Sequence, residues 1–248
     1  MTGIMKKLQL AIFSGALSLL ASAPAYASGL QVSPVTVTLT AKETADGLTL
    51  SNVGDTTVHA QVRVYHWSQD QDGDRLDPST GLVISPPMVV LKPGGKQLVR
   101  VIRTTPAPAE GQPEDAYRVV IDELPVARED REGIDFVLRY SLPVFIQPAG
   151  EKPAPKLSWS LNKVDGKIGI SVANAGLKHA QIADVSIRWP DGRQTVLAPG
   201  LLGYALPGVS RTWDTAQPWP TTAPEGTLEV RINGHETQQV LPLAGSSR

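Results

Sequence analysis

From Gly29 onward the chain is punctuated rather than periodic. Short β-rich runs are separated by Pro, Gly, Asn and Asp at intervals of about 8–12 residues, the spacing expected of a sandwich or barrel. The runs are LQVSPVTVTLT (30–40), GLTLSN (47–52), VHAQVRVYHW (58–67), LVISPPMVVL (82–91), KQLVRVIR (96–103), AYRVVIDEL (116–124) and IDFVLRYSLPVFIQ (134–147). These seven strands suffice for one immunoglobulin-like sandwich. PAGEKPAP (148–155) follows, with three prolines, a glycine and no apolar period, and reads as a linker. Beyond it KLSWSLNKV, GKIGISVAN, AQIADVSIRWP, VSRTWD, GTLEVRIN and ETQQVLPL make a second, smaller β-domain. The expectation is an all-β chain with an immunoglobulin-like domain over 28–149 and a second β-sandwich domain over 150–248. No residue-level repeat is read between the halves.

Residues 1–27 are of another kind. Lys6 and Lys7 precede an apolar run that ends in Ala25-Tyr26-Ala27, the small-x-small pattern cleaved by signal peptidase. The run from Leu8 to Ala23 is interrupted by Gln9, Ser14, Gly15 and Ser18 and falls short of the ~20 apolar residues of a membrane span. A cleaved signal peptide is therefore expected, with a mature chain from Ser28 that is exported and does not insert in the membrane. Loss of the two lysines takes the formal charge from −1 to −3, which offers nucleic acid no basic face. Cysteine is absent, which removes thiol chemistry and Cys-based zinc sites.

Motifs that could carry chemistry resolve into turns. SQDQDGDRLDPSTG (68–81) spaces Asp70, Asp72 and Asp74 like a calcium loop, but Arg75 stands where that loop needs glycine and Gly81 where it needs glutamate. It reads as a polar hairpin tip. LKPGGKQ (91–97) lacks the frame of a phosphate loop and reads as a turn. His59, His66, His179 and His235 have no metal-ligand spacing, and Trp67, Trp159, Trp189, Trp213 and Trp219 are dispersed as core residues are. No nucleophile with a nearby base is legible, so neither enzyme activity nor a cofactor is expected.

One strand stands out. FVLRYSLPVFIQ (136–147) is long and apolar, with Ile134, Phe136, Leu138 and Tyr140 alternating ahead of Leu142, and it follows the charged stretch PVAREDREGID (125–135). An exposed apolar edge is an aggregation hazard that proteins ordinarily cover. Either another element covers this one, or its exposure is functional.

The segments LTLSNVGDTTVHAQVRV (48–64), ISPPMVVLKPGGKQLVRVIR (84–103), YRVVIDELP (117–125) and FVLRYSLPVFIQP (136–148) together resemble the periplasmic pilus chaperones, the PapD-like family. The P-P…L-x-P-G…V-R string and the E-L-P end of the sixth strand carry the likeness in this order, across nearly all of the first domain. The resemblance implies two immunoglobulin-like domains arranged as an L. It implies a function too: to cap pilin subunits by lending them the final strand of the first domain, and to deliver them to an outer-membrane usher. Ile134, Phe136, Leu138 and Tyr140 would form that donor strand, in the β-augmentation mode. In most of the family two basic cleft residues hold the subunit's C-terminal carboxylate. Thr36 and Pro143 occupy those positions here, and Gln147 stands where an interdomain ion pair usually has arginine. This departure is similar to the archaic, Csu-like branch and moves the expected anchor to Arg118 and Arg139, with Arg118 ranked first. An exported adhesin or carbohydrate-binding module is the alternative reading, and it would pair the 134–147 strand within its own chain.

Overall fold

The computed structural model describes residues 29–70, 73–125, 137–150, 154–220 and 225–242. The expected signal peptide, Ile134, Phe136 and most of the charged 125–135 stretch lie outside these. Among the described residues every regular element is a β-strand.

The first sandwich contains β1 (Leu30–Ser33), β2 (Val37–Leu39), β3 (Ala45–Asn52), β4 (Val58–Gln69), β5 (Asp74–Pro78), β6 (Leu82–Ser85), β7 (Met88–Leu91), β8 (Lys96–Arg103), β9 (Asp115–Leu124) and β10 (Arg139–Ile146). One sheet runs β1-β3-β8-β6; the other runs β2-β10-β9-β4-β5, with β7 also paired to β4. Alternate residues such as Leu48, Leu50, Val62, Val99, Ile121 and Val144 point between the sheets and are fully buried. At about 25 cal/mol per Å² of apolar surface, this packing is the main force holding the sheets together.

Two expected strands are corrected. The runs 30–40 and 82–91 each break at a proline, which lacks the N–H that a continuous ladder requires. The Ser33–Pro34 and Ser85–Pro86 peptide bonds are cis. Each break sends the two halves to opposite sheets: β1 pairs β3 while β2 runs parallel to β10, and β6 pairs β8 while β7 pairs β4. The 68–81 segment is a hairpin, and it contributes a strand that was not expected, β5, with Gln69 opposite Asp74. LKPGGKQ is a turn, with Gly94 at φ 73° and the Gly95 N–H donating to the Lys92 carbonyl at 2.8 Å.

The second sandwich contains β11 (Leu157–Val164), β12 (Lys167–Asn174), β13 (Ala180–Arg188), β14 (Gln194–Ala205), β15 (Ser210–Pro218), β16 (Glu225–Ile232) and β17 (His235–Pro242). Its sheets are β11-β12-β15 and β14-β13-β16-β17, closed over Leu161, Ile168, Ile170, Ile182, Ile187 and Leu228. Asp165-Gly166 and Asn233-Gly234 turn two of its hairpins, all four residues at positive φ as tight hairpin turns require. β14 is the strand that the sequence reading omits. Its pairing with β13 shifts register three times, and those bulges erase the two-residue alternation by which a strand is recognised.

The halves also share a residue-level repeat that the sequence reading does not find. Asn52 donates from Nδ2 to the Thr56 and Leu91 carbonyls at 2.7 and 3.0 Å and accepts from the Gly54 N–H at 3.0 Å. Asn174 donates to the Lys178 and Ala205 carbonyls at 2.8 and 3.0 Å and accepts from the Gly176 N–H at 3.0 Å. Both asparagines are 1% exposed. A side chain at Gly176 would collide with the Ala154 carbonyl and the Lys156 N–H, so the second copy of the motif needs its glycine for a close backbone approach.

Candidate functional site

On β4 the core-facing parity is Val58, Ala60 and Val62; on β10 it is Leu142, Val144 and Ile146. Trp67 and Phe145 have the opposite parity, yet they are 1% and 0% exposed. They are buried by the second sandwich: with Ala116 they pack against Tyr204 and Leu206, and Val209 adjoins them. This cluster joins the two domains.

Arg118 lies beside the joint. It pairs with Pro143 of β10 and Tyr65 of β4, so it shares a sheet face with the position where a basic residue is missing. Its guanidinium carbon is 3.7 Å from the Trp67 ring centroid and 5.1 Å from that of Tyr204, and its side chain is only 12% exposed. Nη1 donates to the Ser141 carbonyl at 3.3 Å, and Nη2 is 3.8 Å from Asp74 Oδ2. Desolvation lowers the pKa of the guanidinium, against the opposing influence of Asp74 and Tyr204. An arginine remains charged through such a shift. The result is a desolvated cation with its faces on aromatic rings and most of its five N–H donors unclaimed among the described residues.

Around it the domains are tied by polar contacts. Gln69 Nε2 donates to Asp74 Oδ1 at 2.8 Å and to the Tyr204 carbonyl at 3.0 Å, while Gln69 Oε1 accepts from the Leu206 N–H at 2.8 Å. Arg211 Nη1 donates to the Asp70 carbonyl at 3.1 Å. His179 stacks on Phe145 at 3.5 Å and contacts the buried Glu114 Oε1 through Nδ1 and through its backbone N–H, both at 2.5 Å. Gln147, an uncharged side chain, makes no such pair among the described residues. It lines a polar groove of about 200 Å³ together with Thr36, Thr38, Lys178, Gln181 and Asn233.

Arg139 is placed differently. The pairing of β10 with β9 is unbroken from Arg139 to Ile146, so Arg139 shares the face of Pro143 and Arg118. It is 69% exposed, and with Arg63 it contacts the single carboxylate of Asp122. Burial tends to raise the Asp122 pKa, but the two arginines outweigh it and hold the carboxyl below its usual range.

The edge of β10 is the remaining element. The Glu123 N–H donates to the Leu138 carbonyl at 2.9 Å, so even-numbered residues of this strand direct their backbone groups toward β9. Odd-numbered residues direct theirs to the other edge, where the Gln147 N–H meets the Leu39 carbonyl at 2.8 Å. Pro143 is odd, so its missing N–H costs the β9 ladder nothing. β2 covers that edge over Val144–Ile146, and no strand among the described residues covers it over Arg139–Pro143. Leu138 is half-buried and donates its N–H to Glu123 Oε2 at 3.2 Å. Tyr140 packs on the first core and donates its hydroxyl to the Leu30 carbonyl at 2.6 Å, so its side chain is used within the chain.

Residues 29–152 match the family model described as pili and flagellar-assembly chaperone, PapD N-terminal domain. The chain belongs to this family. Chaperone protein LpfB of Salmonella typhimurium is 24% identical over 164 residues, 65% of this chain and 64% of that one. Thus the match spans less than two thirds of that curated relative. Among solved structures, a chain of the CsuC-CsuE chaperone–tip subunit complex from the archaic Csu pili of Acinetobacter baumannii is 22% identical with a TM-score of 0.65, covering 86% of this chain and 97% of that one. The CupB2 chaperone of Pseudomonas aeruginosa is 21% identical with a TM-score of 0.57, covering 86% and 100%. These likenesses carry the two-domain β fold.

The sequence names Arg118 but not its surroundings. Trp67, Tyr204, Gln69, Asp74, Glu114 and His179 are contributed by both domains. For Trp67 and Phe145 a signal was present: large aromatics at outward-facing parity on strands whose inward parity was already apolar.

Proposed function

We propose that this chain is a periplasmic chaperone of pilus assembly that caps pilin subunits and delivers them to an outer-membrane usher. In this reading residues 1–27 are a cleaved signal, 28–149 bind the subunit, and 150–248 complete the cleft. The subunit adds a strand along the uncovered edge of β10, where backbone bonds supply affinity. Ile134, Phe136 and Leu138 fill its groove, and Tyr140 contributes its backbone while its side chain braces the strand. The subunit's terminal carboxylate reaches Arg118. Arg139 is the weaker candidate for that role because Asp122 already shares its charge.

The observation that carries the reading is the desolvated, under-bonded Arg118 guanidinium in the row of the uncovered edge. A buried carboxylate needs a charged donor of this kind. The test is co-expression with a pilin and recovery of the complex. Arg118→Ala should weaken it by roughly 2–5 kcal/mol, the cost of losing one partner of a buried charge pair. Arg118→Lys should restore only part, since lysine cannot make the planar bidentate contact. Undiminished recovery with Arg118→Ala would exclude Arg118 as the anchor.

A further inference from the structure

Asp74 is the acid nearest the Arg118 guanidinium among the described contacts, but its 3.8 Å separation is beyond hydrogen-bond reach. What fixes it is Gln69, which holds its other oxygen at 2.8 Å and is itself bonded to the Tyr204 and Leu206 backbone of the second sandwich. Its charge is thus felt by Arg118 while its lone pairs fill none of the guanidinium's donors. An incoming carboxylate that fills them must settle close to a second negative charge. Without that charge, a desolvated arginine with open donors would hold a small anion whether or not a strand delivered it.

On the reading that Arg118 receives a carboxylate, we propose that Asp74 is a fixed opposing charge that sets how tightly it does so. A free carboxylate is held weakly. A carboxylate delivered on the end of a paired strand is held because the backbone ladder supplies the remainder, and it leaves when that ladder is unzipped. Asp74 is therefore a specificity residue: it makes strand pairing a condition of anion binding.

The probe is sodium acetate, titrated against sodium chloride at constant ionic strength into the intact protein. The readouts are the Arg118 side-chain Nε–H resonance, identified by its loss in Arg118→Lys, and Trp67 fluorescence. Asp74→Asn keeps a carbonyl for Gln69 to donate to and removes only the charge. It should bind acetate about tenfold more tightly than the parent chain, the order expected when a like charge at this range is removed from a partly exposed site. Asp77→Asn on the same strand, whose partner is Arg75 at 3.6 Å, should leave the affinity unchanged. Unaltered unfolding midpoints exclude misfolding as the cause. Equal or weaker acetate binding by Asp74→Asn would overturn the proposal and make Asp74 a support for Arg118. If the Arg118 resonance responds to acetate in no variant, the carboxylate reading of Arg118 itself fails.

Discussion

Asn52 bonds three backbone groups through its side-chain amide, and Asn174 bonds four, the Lys156 N–H being the fourth. Replacing either by alanine leaves buried carbonyls without donors, each costing about 1–3 kcal/mol. Asn174→Ala should therefore lower stability by about 2–4 kcal/mol in urea unfolding, with the slope unchanged. Asp122 offers a test by pH. Burial would raise its pKa, but Arg139 and Arg63 overcome that effect and lower it from the ordinary 3.8. A carboxyl with a lower pKa folded than unfolded stabilises the fold above its unfolded value, and that stabilisation is lost as pH falls through the folded value. Asp122→Asn should therefore flatten the fall of stability below about pH 4 and change little of the slope between pH 6 and 8.

At the scale of elements, β10 has one edge paired to β9 and another that no described strand covers over Arg139–Pro143. Ser141 has the parity of Pro143, so its N–H points away from β9. Ser141→Pro should leave the chain folded, with a stability loss under about 1 kcal/mol, because no β9 ladder bond is removed. It should nevertheless reduce pilin recovery at least tenfold, since a partner strand would lose that donor; full recovery would place the partner elsewhere. How much of this was legible in sequence follows from the same local physics. β3 and β8 keep their alternation, β9 and the described part of β10 are continuous apolar runs, and all four are read as strands. β14 bends through bulges and is missed, and β1–β2 and β6–β7 are read as single strands because apolar residues continue across each proline. Arg118 was singled out in sequence because two expected basic positions hold Thr36 and Pro143. Its surroundings were not, since Tyr204 lies on the unrecognised β14 and Asp74 on the unrecognised β5.

Across the whole molecule the described residues that join the sandwiches are a small apolar cluster, the His179–Glu114 contact, the Gln69 bridge and the Arg211–Asp70 contact, so cooperativity rests on few side chains. Phe145→Ala removes a fully buried ring stacked on His179 and should cost about 3–5 kcal/mol. Its calorimetric trace should separate into two transitions where the parent chain gives one; a single transition at lower temperature would mean that the polar bridges alone couple the domains. Pro143 has a further consequence once β2 is considered with it. The vacant edge ends in a residue with no proton to give, and β2 occupies the next one, so a visiting strand meets a dead end. In the proposed complex that dead end works as a ruler. A slip of one residue turns every visiting side chain to the wrong face, and a slip of two displaces the chain end by about 7 Å, into β2 in one direction and out of reach of Arg118 in the other. In that complex the terminus of the guest would be measured from the same row that holds its charge, and a guest of the wrong length or register would be rejected without any contact that reads its sequence.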